Sequence, residues 1–252
     1  MIRSLVLAAL FAGQSALVFA QPPAAPPEPP PPLLEASAQF AFLDNSGNAS
    51  AKSLGAGGDF TYRPDPWVYT GKFVFAQTET DDKLDARSIA ALFRASRVLN
   101  KRLSAYGQYD FLRDLFAGVE QRNVIEGGVS YLAVDRAPHH LQFDAGVGYL
   151  NEQRTDNSTL SSATLSLASA YALTLATSKL TYEPRFLVPF ATTDAWKFDQ
   201  NIAFAVAVNS FLSLKVSHIL RYSNRPPAGF KTTDRILAIS LVAKMKRPRP
   251  QP

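Results

Sequence analysis

Three histidines are the whole stock of imidazole in this 252-residue chain, and no cysteine accompanies them. His139 and His140 are adjacent at an expected turn. On a strand they would point to opposite faces and could not share one metal, so they read as a solvated turn pair. His218 falls on the apolar parity of its strand and Ser217 points the other way, so local spacing makes no nucleophile and base. Without cysteine there is no thiolate metal site, cysteine nucleophile or disulfide framework. Gly55-Ala56-Gly57-Gly58 lacks the following lysine and hydroxyl residue of a phosphate loop and reads as a strand of small residues. Thr80-Asp81-Asp82-Lys83-Leu84-Asp85 offers carboxylates to a divalent cation but reads as a solvated loop. The expectation is no catalytic residue, no metal, no cofactor and no enzyme.

Charged residues at one strand parity carry what chemistry remains. Lys72, Arg94, Asp110, Glu126, Asp144, Glu183, Arg185, Lys215, Arg221 and Asp234 are expected to face the lumen of a barrel. Charges enclosed in a narrow barrel must be paired or hydrated, which predicts a network of salt bridges and water. One reading is a constriction that selects small charged solutes. The other, favoured because mixed signs leave little net field, is a plug of paired side chains that stiffens the barrel.

These residues are positioned by period-two alternation of apolar and polar side chains, which recurs from Leu34 to Met245. Phe198, Ile202, Phe204, Val206 and Val208 share one face; Lys197, Asp199, Asn201, Ala203, Ala205 and Ala207 share the other. Alternation and turn residues predict about twelve strands: 34–43, 49–63, 67–78, 84–98, 102–112, 122–134, 139–152, 159–173, 178–191, 195–208, 211–223 and 232–245. Tight connections, such as Arg63-Pro64-Asp65-Pro66 and Asn209-Ser210, alternate with longer or more polar ones at 78–83, 113–121, 151–158 and 224–231, the short Thr192-Thr193-Asp194 being an exception in the second set. That is the pattern of an all-β, closed antiparallel up-and-down transmembrane barrel, with short periplasmic turns, longer outer loops and both termini periplasmic. Bulky residues collect on one side of each strand, and Tyr62, Trp67, Tyr131, Tyr149, Tyr182, Trp196 and Tyr222 suit interfacial girdles.

Composition decides little: the net charge is +5 and 46% of residues are hydrophobic. Much of the basic excess is local, at Arg3, Lys246, Arg247 and Arg249, which argues against a nucleic-acid groove. Residues 1–20 read as a cleaved signal peptide and 21–33 as a proline-rich periplasmic linker. Residues 34–245 form the barrel, and 246–252 a basic, proline-rich tail.

The runs Leu99-Asn100-Lys101-Arg102-Leu103-Ser104-Ala105-Tyr106-Gly107-Gln108-Tyr109-Asp110, Glu126-Gly127-Gly128-Val129-Ser130-Tyr131 and Gly146-Val147-Gly148-Tyr149-Leu150 resemble the salt-induced outer-membrane proteins. Thr232-Thr233-Asp234 leading into Leu237-Ala238-Ile239-Ser240-Leu241-Val242 is similar to that family's closing strand. The resemblance spans the chain from about Trp67 onward and implies an outer-membrane barrel of undefined activity, with no catalytic residues to transfer. One departure is Met245, where such barrels commonly end on an aromatic residue read by the assembly machinery. The expected function is a narrow porin-like channel or a structural envelope component in the outer membrane. Its expected partners are outer-membrane lipid, the barrel-assembly machinery during insertion, and small solutes or ions, with no nucleic acid. The alternatives are an outer-membrane phospholipase-like hydrolase and a soluble periplasmic lipid-binding barrel.

Overall fold

The computed structural model describes residues 31–46, 51–80 and 83–249. The leader, nearly all of the proline spacer, Ala49 and Ser50 of the second expected strand, Asp81 and Asp82 of the acidic loop, and residues 250–252 lie outside them. Within the described residues, alternating apolar and small polar positions build twelve strands: β1 (Leu34–Ser46), β2 (Ala51–Tyr62), β3 (Trp67–Thr80), β4 (Lys83–Val98), β5 (Leu103–Asp114), β6 (Val119–Arg136), β7 (His139–Arg154), β8 (Thr159–Thr174), β9 (Ser178–Pro189), β10 (Lys197–Ala207), β11 (Leu212–Ser223) and β12 (Thr233–Arg247). Each pairs antiparallel with its chain neighbours, and β1 pairs with β12, which closes the barrel. Closure removes the unpaired edge that lipid could not hydrate.

Turn chemistry explains the tight connections at the end carrying both termini. The Asn100 side-chain carbonyl accepts from the amides of Arg102 and Leu103, each at 2.9 Å. Asn209 does the same for Phe211 at 2.8 Å and Leu212 at 2.7 Å. A short side chain thereby replaces the missing ladder partner.

At the opposite end three of the four expected longer connections are shortened, while the one after β11 stays a loop at 224–232. β5 runs on to Asp114 and a single 3-10 turn, Leu115–Ala117, leads almost directly into β6; β7 reaches Arg154, and the 78–83 connection shrinks to residues 81–82. Backbone groups beyond the membrane still find partners on the adjacent strand, so pairing continues past the apolar belt. The last strand also outruns its expected end, because Glu35 and Leu34 of β1 offer Lys246 and Arg247 a continued ladder. β9 keeps Pro184 in mid-strand. On its β8 side the register omits Ser169 and Ala170, opposite the proline that has no N–H to donate.

Candidate functional site

Large apolar side chains cover the outside. Ile125 is 64% exposed, and Phe143, Phe204, Ile239 and Leu241 are likewise exposed, while Ala203, Ala238, Ser240 and Val242 on the other parity are buried. A surface this apolar belongs in lipid, with the polar row inside. Aromatic rings band both ends. Trp67 stacks on Tyr69 at 6.1 Å near the terminal end, and Trp196 stacks on Tyr222 at 4.7 Å near the other. Two such bands mark two interfaces.

Contacts between strands that are not neighbours in the ring must cross the interior, and charged pairs make several. Lys72 on β3 meets Glu183 on β9, half the ring away, at 3.2 Å. Arg94 on β4 grips Asp144 on β7 through both terminal nitrogens, at 2.9 and 3.1 Å. Arg185 on β9 reaches Asp110 on β5 at 3.0 Å and Glu126 on β6 at 2.6 Å. Arg221 on β11 donates to Asp114 on β5, and Lys215 on β11 donates to Gln39 on β1. Asp234 stands beside Arg221 in the β11–β12 register. Two-pronged guanidinium contacts fix direction as well as charge, so these bridges set how far opposite walls can part.

Beyond this belt lies a knot that the ten candidates did not include. Glu152, fully buried, accepts from Arg122 at 2.6 Å, from Arg154 at 2.8 Å and from Lys197, which comes within 3.1 Å. Lys197 belongs to the polar face read from the sequence, and Asp114 and Glu152 fall at strand ends where loops were expected. Extending the parity of the expected strand 102–112 by two residues reaches Asp114, whereas Glu152 already stands at the inward parity of the last position of the expected strand 139–152. Asp114, Arg122, Glu152, Lys197, Arg221 and Asp234 line a cavity of about 30 Å³, on the scale of a single water molecule. The loop after β11 folds over it. Phe230 packs against Gly118, which has φ +70° and no room for a Cβ. The Arg225 carbonyl accepts from Arg154 at 3.1 Å, and the Ala228 amide donates to Asp156 at 3.3 Å. Asp156 titrates below the ordinary carboxylate range, because the Ser158 hydroxyl and then its amide donate to the charged form.

The other candidate groups stay apart. His139 bonds Tyr171 at 2.8 Å and His140 bonds Asp135 at 3.1 Å, so the adjacent rings have separate partners. Ser217 is buried on the inward row, whereas His218 shares the outward row of the exposed Leu214 and Val216. Gly57 lies under Gln39, whose amide nitrogen would be 2.8 Å from an added Cβ; the glycine run makes room for a side chain. Among the described residues no cluster of His, Asp or Glu could hold a metal ion.

A family model described as protein of unknown function, DUF481, matches residues 38–245, the stretch that includes every motif resembling the salt-induced outer-membrane proteins. The uncharacterized protein YdiY of Escherichia coli (strain K12) is 26% identical over 213 residues, 82% of this chain and 81% of that protein. Among solved structures the NanC porin superposes with a TM-score of 0.56, covering 82% of this chain and 100% of its own, at 7% identity. That likeness speaks for the barrel architecture alone.

Proposed function

The chain belongs to the family described as protein of unknown function, DUF481, and from that premise we propose that it is a narrow outer-membrane channel for small solutes or ions. The barrel sits in the outer membrane, its apolar belt and aromatic bands facing lipid and its charges facing inward. One observation carries the channel reading. Lys72 and Glu183 meet across the full width of the barrel, yet their side chains remain 47% and 38% exposed. Inside a lipid-coated barrel, exposure means access to water. An aqueous path therefore supports passage of solutes small enough to slip past a crossing ion pair.

The Glu152 knot and the loop pinned over it favour a second role, a stiff envelope component whose outer end conducts weakly. The two roles differ in degree of closure and share the same paired interior. A soluble lipid carrier would need its apolar face inside, where this barrel keeps its charges. Passage without catalysis, contact with outer-membrane lipid and insertion by the barrel-assembly machinery complete the proposal, as does a mature chain that begins after residue 20. Single-channel recording of purified, folded protein in a planar bilayer tests it. Small, discrete current steps are expected, and folded protein that never rises above baseline would remove the channel.

A further inference from the structure

Resting on the channel reading, we infer that the half of the barrel nearest the termini is an anion-attracting vestibule, in which Lys179, Lys215 and Lys244 recruit small anions. The observation is a difference between rows of the sheet. Farther from the termini, Arg185, Asp199, Arg221 and Asp234 stand side by side across β9 to β12 and alternate in sign. Nearer the termini the alternation stops. Lys179, Ala205, Lys215, Ser240 and Ala41 form one row across β9 to β1. Lys244, Ser37, Asp59 and Lys72 form another across β12 to β3. In the first row small alanine and serine side chains flank the lysines, and in the second Ser37 and Asp59 separate Lys244 from Lys72, so little bulk blocks the ammonium groups from the lumen.

Charge is not cancelled there. Lys215 lies in the fields of Asp59 and Glu183 and of Lys72 and Lys244. Lys244 in turn feels Lys179 and Lys246, opposed by Asp59 and Glu35. Glu35 is already held by Arg63 at 2.9 Å, and Glu183 by Lys72. Asp59 accepts from Ser37 at 2.7 Å. Among the described residues no ion pair joins Lys179, Lys215 or Lys244 to a carboxylate, and the contact of Lys215 is to the neutral amide of Gln39. Lys179 is exposed and the other two are half-buried. Four lysines against Asp59 and Glu183 leave surplus positive charge between low-dielectric walls, which focus its field along the lumen. A water-filled passage lined this way concentrates anions and repels cations before either meets the neutral pairs beyond.

The test is the reversal potential of the purified protein in a planar bilayer under a KCl gradient. Chloride should permeate in preference to potassium, by about threefold or more, as expected for a pore ringed by uncompensated lysines. Exchanging all three (Lys179→Gln, Lys215→Gln and Lys244→Gln) should bring the ratio to about one while conductance persists. If that variant does not fold, Lys179→Gln alone carries the test, since its side chain is exposed, and the ratio should fall in the same direction. A wild-type channel that is unselective or prefers potassium would overturn the vestibule and leave the channel standing. So would lysine variants with unchanged selectivity. Absence of any conductance would overturn both.

Discussion

The guanidinium of Arg94 lies 3.7 Å above the ring of Tyr106, on the wall of the barrel interior, while its nitrogens hold Asp144. The ring can lie flat because Gly128 and Gly146 stand beside it in the same row of the sheet. A Cβ on Gly146 would come within 2.6 Å of the Tyr106 hydroxyl, which also lies 3.3 Å from Glu126. Cation, ring and glycine floor make one unit. Arg94→Ala leaves Asp144 largely buried without its cation, and a loss of about 3–5 kcal/mol is expected. Arg94→Lys should restore only part of it, because an ammonium cannot grip both carboxylate oxygens. Unfolding by urea in lipid vesicles reads both effects.

The glycine floor gives a paired comparison. On Gly128 a Cβ would meet the Ala145 carbonyl oxygen at 2.2 Å, a backbone atom that cannot swing away, whereas nothing lies within 4 Å of one on Gly107. Gly128→Ala should lower stability by about 1–3 kcal/mol through strain. Gly107→Ala should be neutral or stabilising by about 0.5–1 kcal/mol, since alanine loses less backbone freedom in a strand. Equal effects in vesicle unfolding would contradict the packing described.

Substitution on the two faces of β10 should separate lipid from lumen. Phe204→Arg puts a charge into hydrocarbon and should cost about 2–4 kcal/mol, whereas a change on the inward row, such as Ala205→Ser, should cost well under 1 kcal/mol. The folding equilibrium into vesicles measures both.

The loop over the outer end depends on Phe230 and on ionised Asp156. Phe230→Ala together with Asp156→Ala should raise unit conductance, by about twofold, if the loop narrows that mouth. The folded-state pKa of Asp156 is depressed, so its contribution is complete above the unfolded value of about 3.9 and is lost as pH falls through the folded one. Conductance should therefore be insensitive to this group between pH 5 and 8, at about its neutral value, and rise only in acid. Recording across a pH series checks the sign.

Much of this barrel is legible in its sequence, because strand periodicity is local. Phe204 and Ala203 differ in exposure as their parity requires, and the turn at Asn100 announces itself by composition. What parity cannot supply is the partner. Lys72 and Glu183 lie 111 residues apart, and which inward charge meets which depends on the stagger of the closed ring. Asp114 lies two residues past its expected strand and Glu152 on the last residue of its own, where the alternation fades though backbone pairing continues. Pro184 falls inside the strand expected at 178–191 and is accommodated where the β8 ladder lapses beside it.

Cysteine labelling tests the central claim most directly, because the natural chain has no cysteine and a single introduced thiol reports alone. In protein folded into lipid vesicles, Lys72→Cys should react with a charged, water-soluble thiol reagent. Phe73→Cys, one residue along β3 and facing lipid, should stay unlabelled until detergent is added. Labelling at Phe73→Cys with protection at Lys72→Cys would turn the barrel inside out and contradict the account.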